Sequence, residues 1–72
     1  MIGETLRKLR KERGWTQAVL GEYLHIHRST ISYWEAGITD PPLDVIKELA
    51  RLYGVSADYL LELSPPGQED HS

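Results

Sequence analysis

Apolar residues recur at every third or fourth position along most of this 72-residue chain. This spacing places one side of an α-helix in a protein core, whereas no segment alternates apolar and polar residues as a half-buried strand would. The apolar stripes are Ile2, Leu6 and Leu9; Leu20 and Leu24; Ile31 and Trp34; Leu43, Ile46, Leu49, Ala50 and Tyr53; and Leu60. The pattern predicts an all-α fold of five helices, over residues 2–13, 16–24, 28–36, 42–53 and 57–63.

Capping and turn residues separate these helices. Thr16 is a good N-cap for helix 2, and Ser56 is one for helix 5. His25 occupies the turn after helix 2, where glycine would adopt a positive φ more easily, and His27 is expected to cap helix 3 weakly. Gly21 lacks a side chain, which we expect to let helix 3 cross closely over helix 2.

The charge of the chain is −3, which by itself argues against a polyanionic partner. Its distribution is uneven: residues 1–39 hold six Lys and Arg against four Asp and Glu, whereas residues 40–72 hold two against seven. The acidic half can therefore face away from a polyanion. Because affinity for DNA grows with each phosphate neutralised, so few cations predict weak non-specific binding. Ordinary solvated helix faces remain an alternative reading of these charges.

Helix 3 combines a buried side with a polar outward side. At about 100° per residue, Ile31 and Trp34 point inward, and Arg28, Ser29, Ser32 and Tyr33 fall on the opposite arc. One cation, two hydroxyls and a phenol on a single arc favour a surface that contacts a partner.

Several motifs at fixed spacing resemble those of the phage-repressor and Cro family of helix-turn-helix DNA-binding domains. They are LRKLRKERGWTQ, then Leu20, Gly21 and Leu24, then STISYWEAG, IKELA and YGVSADYLL. The match covers residues 2–63, and the motifs are specific in combination. It implies a compact five-helix domain in which helix 3 lies in the major groove of double-stranded DNA.

The resemblance also implies roles for individual residues. Arg10 and Glu35 match a structural ion pair between helices 1 and 3. The loop at 37–40 usually carries Lys or Arg in such proteins but reads Gly-Ile-Thr-Asp here, which weakens the expected anchoring to phosphates. The implied DNA contacts are Gln17, His27, Arg28, Ser29, Thr30, Ser32, Tyr33 and Thr39.

We therefore predict a DNA-binding domain over residues 1–63, followed by a disordered tail or linker over 64–72. The expected function is that of a cytoplasmic transcriptional repressor that binds an inverted-repeat operator as a homodimer. No cofactor, metal or membrane association is expected. His25 and His27 with Glu22 resemble a metal or acid–base cluster, but a His-x-His in a turn lacks a third ligand at helical or strand spacing. An enzyme is therefore not expected.

A protein-interaction module of the same fold, such as an antitoxin or an anti-repressor partner, is the alternative. Its partner would bind helices 4 and 5, where Val45, Leu52, Leu61 and Leu63 add apolar surface. Changing Arg28 and Tyr33 to Ala would leave the function of such a module intact.

Overall fold

The computed structural model describes residues 2–62 and contains five α-helices in that range. They are α1 (Ile2–Glu12), α2 (Gln17–Leu24), α3 (Arg28–Ala36), α4 (Leu43–Tyr53) and α5 (Ala57–Glu62). The helix α3 packs on α1 and α2, and α5 packs on α4. The all-α prediction is confirmed. The predicted tail at 64–72, with Leu63, lies outside the described residues.

Local chemistry explains most helix ends. The Thr16 hydroxyl oxygen accepts a hydrogen bond from the Val19 N–H at 3.1 Å, and the Ser56 hydroxyl accepts one from Tyr59 N–H at 2.9 Å. At the end of α3, Gly37 has φ of +78°, and the Ile38 N–H returns to the Tyr33 carbonyl at 2.9 Å. These bonds satisfy backbone groups that a helix end leaves free.

Three predicted helix bounds were wrong by one residue. The helix α2 begins at Gln17, because Thr16 is its N-cap and has extended backbone. The helix α1 ends at Glu12, because the Arg13 N–H bonds the Arg10 carbonyl in a tighter turn. Pro42 is the N-cap of α4 rather than its first residue, and its carbonyl accepts from Ile46 N–H at 2.9 Å. Proline fits there because the helix does not require a hydrogen bond from the N–H of its N-cap residue, and proline has no N–H.

The core lies where the five helices meet, and side chains from all of them fill it. Burying one such Leu or Ile fully contributes roughly 1.5–3 kcal/mol relative to leaving it exposed. Gly3 lets α1 approach the end of α3, since a Cβ there would overlap the Trp34 carbonyl oxygen and lie 2.8 Å from the Glu35 carbonyl oxygen. The buried apolar residues are Ile2, Leu6, Leu20, Ile31, Trp34, Ile46, Leu49, Ala50, Tyr53 and Leu60.

The apolar surface on helices 4 and 5 is formed partly by other residues than predicted. Leu43, expected on the buried stripe of helix 4, is 52% exposed at the beginning of α4. Val45 and Leu52 are partly buried against the core, so they stabilise the fold instead of forming a free face. Leu61 and Tyr59 on α5 are exposed. None of the helices between residues 2 and 62 is both long and apolar enough to cross a membrane.

Candidate nucleic-acid interface

The helices α2 and α3 are joined by a three-residue turn, His25 to His27, that packs directly on α2. The Gly21 carbonyl accepts hydrogen bonds from the N–H groups of His25 and Ile26, the latter at 2.9 Å. A Cβ at Gly21 would overlap the Ile26 carbonyl oxygen and lie 3.5 Å from the Arg28 nitrogen. The missing side chain was expected to accommodate helix 3 itself, but it makes room mainly for the turn.

Both turn histidines have the predicted backbone roles. His25 has φ of +58°, the left-handed conformation, and it is the only described residue other than glycine with positive φ. The His27 Nδ1 accepts a bond from the Ser29 N–H at 3.1 Å and lies 2.9 Å from the Ser29 hydroxyl oxygen. Because Nδ1 accepts this capping hydrogen bond, only Nε2 of His27 remains available to contact a ligand.

The helix α3 has the two-sided character that the sequence predicted. Ile31 and Trp34 are 1% and 5% exposed, whereas Tyr33 is 50% exposed. Arg28 and Ser29 are exposed at the beginning of the helix. Thr30 and Ser32 are partly buried, and Thr39 is exposed in the loop beyond its end. Arg28, Ser29 and Tyr33 are thus accessible on the side of α3 that faces away from Ile31 and Trp34.

Arg10 and Glu35 meet in a two-pronged ion pair between α1 and α3. The Arg10 Nε donates to Glu35 Oε2 at 2.7 Å, and Nη2 donates to Oε1 at 2.9 Å. The side chains are only 9% and 4% exposed. The hydrogen bond with Glu35 raises the pKa of Arg10 above its usual value, against the opposing effect of burial.

Two further bonds connect this ion pair to the beginning of α2. The Arg10 Nη1 donates to the Trp15 carbonyl at 2.8 Å, and Gln17 Nε2 donates to Glu35 Oε1 at 3.1 Å. The Glu35 carboxylate thus accepts three hydrogen bonds from two side chains. We call Arg10, Glu35 and Gln17 the Glu35 network.

A surface depression of about 240 Å³ lies over this network, between α1, the beginning of α2 and α3. Its lining residues are Arg7, Arg10, Gln17, Ser32, Glu35 and Ala36. Arg7 is an exposed cation there that the sequence analysis did not assign to the site. Its position three residues before Arg10 places the two on one helix face, which is the signal that could have identified it.

The loop after α3 presents no cation. Ile38, Thr39 and Asp40 are all exposed there, and Ile38 is 67% exposed. Over residues 2–62, no group of three or more His, Cys, Asp or Glu side chains is arranged to hold a metal ion.

Comparison with known proteins places this geometry in a family. The helix-turn-helix family model matches residues 6–60. The transcriptional regulator ImmR of Bacillus subtilis is 36% identical over 96% of this chain and 57% of its own length. The transcriptional activator BcrR of Enterococcus faecalis is 36% identical over 83% of this chain and 29% of its own.

A competence pilus inhibition repressor of Acinetobacter baylyi is 33% identical over 88% of this chain and 57% of its own length. The chain thus spans 57% of the length of two of these relatives and 29% of the third. The match to the family covers α2, the turn and α3 and extends over most of the described residues. The chain therefore belongs to the helix-turn-helix family.

Proposed function

We propose that this chain is a sequence-specific, double-stranded DNA-binding transcriptional regulator that inserts α3 into the major groove. The observation that carries the proposal is the outward side of α3, where Arg28, Ser29 and Tyr33 are exposed opposite the buried Ile31 and Trp34. An α-helix fits the major groove, where each base pair has its own pattern of donors and acceptors. Relatives named as transcriptional regulators support the same function.

Arg28 is the residue best suited to read a base. It begins α3, is exposed, and makes no side-chain hydrogen bond within the described residues. Its guanidinium can donate two parallel bonds to guanine O6 and N7. Ser29, Ser32 and Tyr33 carry hydroxyls suited to phosphates or to adaptable base contacts. Thr30 and the Nε2 of His27 flank this face.

The remaining proposed contacts go to the phosphate backbone. Gln17 lies at the beginning of α2, where free backbone N–H groups favour an anion, and Thr39 lies in the loop beyond α3. Arg7 adds a cation beside Gln17, whereas Arg10 is already paired with Glu35. About two unpaired cations among the described residues lie near the proposed DNA-binding surface. The logarithm of the association constant for DNA should therefore fall with the logarithm of the salt concentration at a slope of about −2 per protomer.

Repression and dimerisation complete the proposal. Two recognition helices about 34 Å apart would meet successive major grooves of an inverted repeat. Exposed Tyr59 and Leu61 on α5 offer apolar surface for a second copy.

Repression requires only that the protein occupy a promoter in the cytoplasm, and one relative is named a repressor. Because another is named an activator, a reporter assay on the bound promoter distinguishes the two.

Selection from a genomic DNA pool, followed by anisotropy titration at two salt concentrations, tests the proposal. We expect Arg28→Ala to weaken binding to the selected site by about 1–3 kcal/mol and to relax one base position. Arg51→Ala, which removes an exposed arginine on α4, is the matched control and should bind normally. Binding without any sequence preference at low salt would refute direct DNA reading. Normal function of the Arg28→Ala/Tyr33→Ala variant would instead favour a protein-interaction module.

A further inference from the structure

We propose that Glu35 is a positioning residue that holds the side-chain amide of Gln17 in its DNA-contacting orientation. The ion pair with Arg10 would then serve recognition as well as folding. This inference rests on the proposed DNA-binding function. Its basis is the 3.1 Å bond from Gln17 Nε2 to Glu35 Oε1, which joins a candidate DNA contact to a buried carboxylate.

The chemistry of the two groups determines which way the amide points. An ionised carboxylate accepts hydrogen bonds and cannot donate, so the nitrogen of the Gln17 amide must face it. The amide oxygen is repelled from that position. One N–H of Gln17 is therefore used inside the protein, and its second N–H and its Oε1 remain for a ligand. A flipped amide would lose the bond to Glu35.

The anchor is itself rigid. The Glu35 side chain is 4% exposed and is held by two bonds from Arg10. Arg10 also donates to the Trp15 carbonyl, two residues before Gln17. Because Gln17 is partly exposed above this anchor, DNA would meet an amide whose rotamers are already restricted. Prior ordering lowers the conformational entropy lost on binding.

A double-mutant cycle on the site selected from the genomic pool separates positioning from folding. Arg10→Met/Glu35→Met removes both charges while keeping similar volume, a replacement that buried ion pairs often tolerate. Gln17→Ala is then measured in the wild-type and in this double-variant background. Urea unfolding of each protein verifies that it is folded under the binding conditions.

In the wild-type background, we expect Gln17→Ala to weaken binding about tenfold, which corresponds to about 1.4 kcal/mol. In the Arg10→Met/Glu35→Met background, the same change should weaken binding by less than about twofold, since contacting residues are energetically coupled. Arg28→Ala is the matched control, because Arg28 lies at the opposite end of α3 from Glu35 and takes part in none of the network's hydrogen bonds. Its cost should be the same in both backgrounds.

Three results would overturn the inference. An equal effect of Gln17→Ala in both backgrounds would show that Glu35 does not position it. If Arg28→Ala also weakened DNA binding less in the Arg10→Met/Glu35→Met background, the network would merely hold α3 in place. If Gln17→Ala did not weaken DNA binding in the wild-type background, Gln17 would not be a DNA contact.

An NMR measurement on the wild-type protein keeps the test independent of DNA and of variant folding. The chain has no asparagine and only two glutamines, Gln17 and Gln68, so its side-chain amide spectrum holds two NH₂ pairs. We expect one Gln17 proton to be shifted by the carboxylate relative to the urea-unfolded chain. An unshifted pair would overturn the positioning role, whereas failure of the DNA-binding proposal would leave this shift intact.

Discussion

Replacing Glu35 with Ala is the sharpest test of how this fold holds its recognition helix. The change removes the acceptor of three hydrogen bonds and leaves the Arg10 guanidinium buried, with only the Trp15 carbonyl as its partner. Breaking a buried pair in this way costs about 3–5 kcal/mol. At 0.05–0.15 kcal/mol per residue, a domain of this size has a stability of only about 3–9 kcal/mol. Glu35→Ala is therefore expected to lose about half or more of the stability of the domain at 25 °C.

The matched control is Glu48→Ala, which breaks the other ion pair of the described residues. Arg51 and Glu48 are 3.1 Å apart on α4, with side chains 73% and 53% exposed. Such an exposed pair contributes about 0.5 kcal/mol or less. Urea unfolding followed by circular dichroism measures both variants. If the two destabilisations agree within about 1 kcal/mol, burial of the Arg10–Glu35 pair does not carry the energy assigned to it.

Two further substitutions test the core and the turn. Burial raises the pKa of Tyr53 to about 12 from 10.0, so the unfolded chain ionises first and stability should fall as pH rises from 10 to 12. The full loss above pH 12 is about 2–3 kcal/mol, and about half of it is reached at pH 11; Tyr53→Phe should remove it. At pH 7 the same substitution should add about 1 kcal/mol, because the hydroxyl has no hydrogen-bond partner within residues 2–62. Urea titrations at pH 7, 9 and 11 measure both effects, and an equal alkaline loss in wild type and variant would contradict them. Gly21→Ala should gain about 1 kcal/mol of helix propensity but lose about 1–3 kcal/mol net, because the Ile26 carbonyl must move; net stabilisation in thermal unfolding would refute the close contact.

Helix positions and caps were predictable because they depend on neighbours in the chain. The three-to-four spacing identified four helices, and the Ser56 cap with Leu60 identified the fifth. Thr16, His25, His27 and Ser56 have the predicted cap and turn roles. The errors at Arg13, Thr16 and Pro42 lie at helix ends, where a single backbone bond decides the boundary. Val45 and Leu52 were misjudged for a different reason. Whether an apolar residue at the edge of a stripe is covered depends on which helix packs beside it.

The order of residues was sufficient to determine an all-α helix-turn-helix protein, since helical period, caps and turn residues act over about four positions. The Glu35 network could not be derived from such spacing. Arg10, Gln17 and Glu35 are separated by up to 25 positions, and only the packing of α1 and α2 on α3 brings their polar atoms within 3.1 Å. Hydrogen bonds require that proximity. Only the folded arrangement therefore shows that the buried carboxylate of Glu35 accepts a hydrogen bond from Gln17, a residue of the proposed interface.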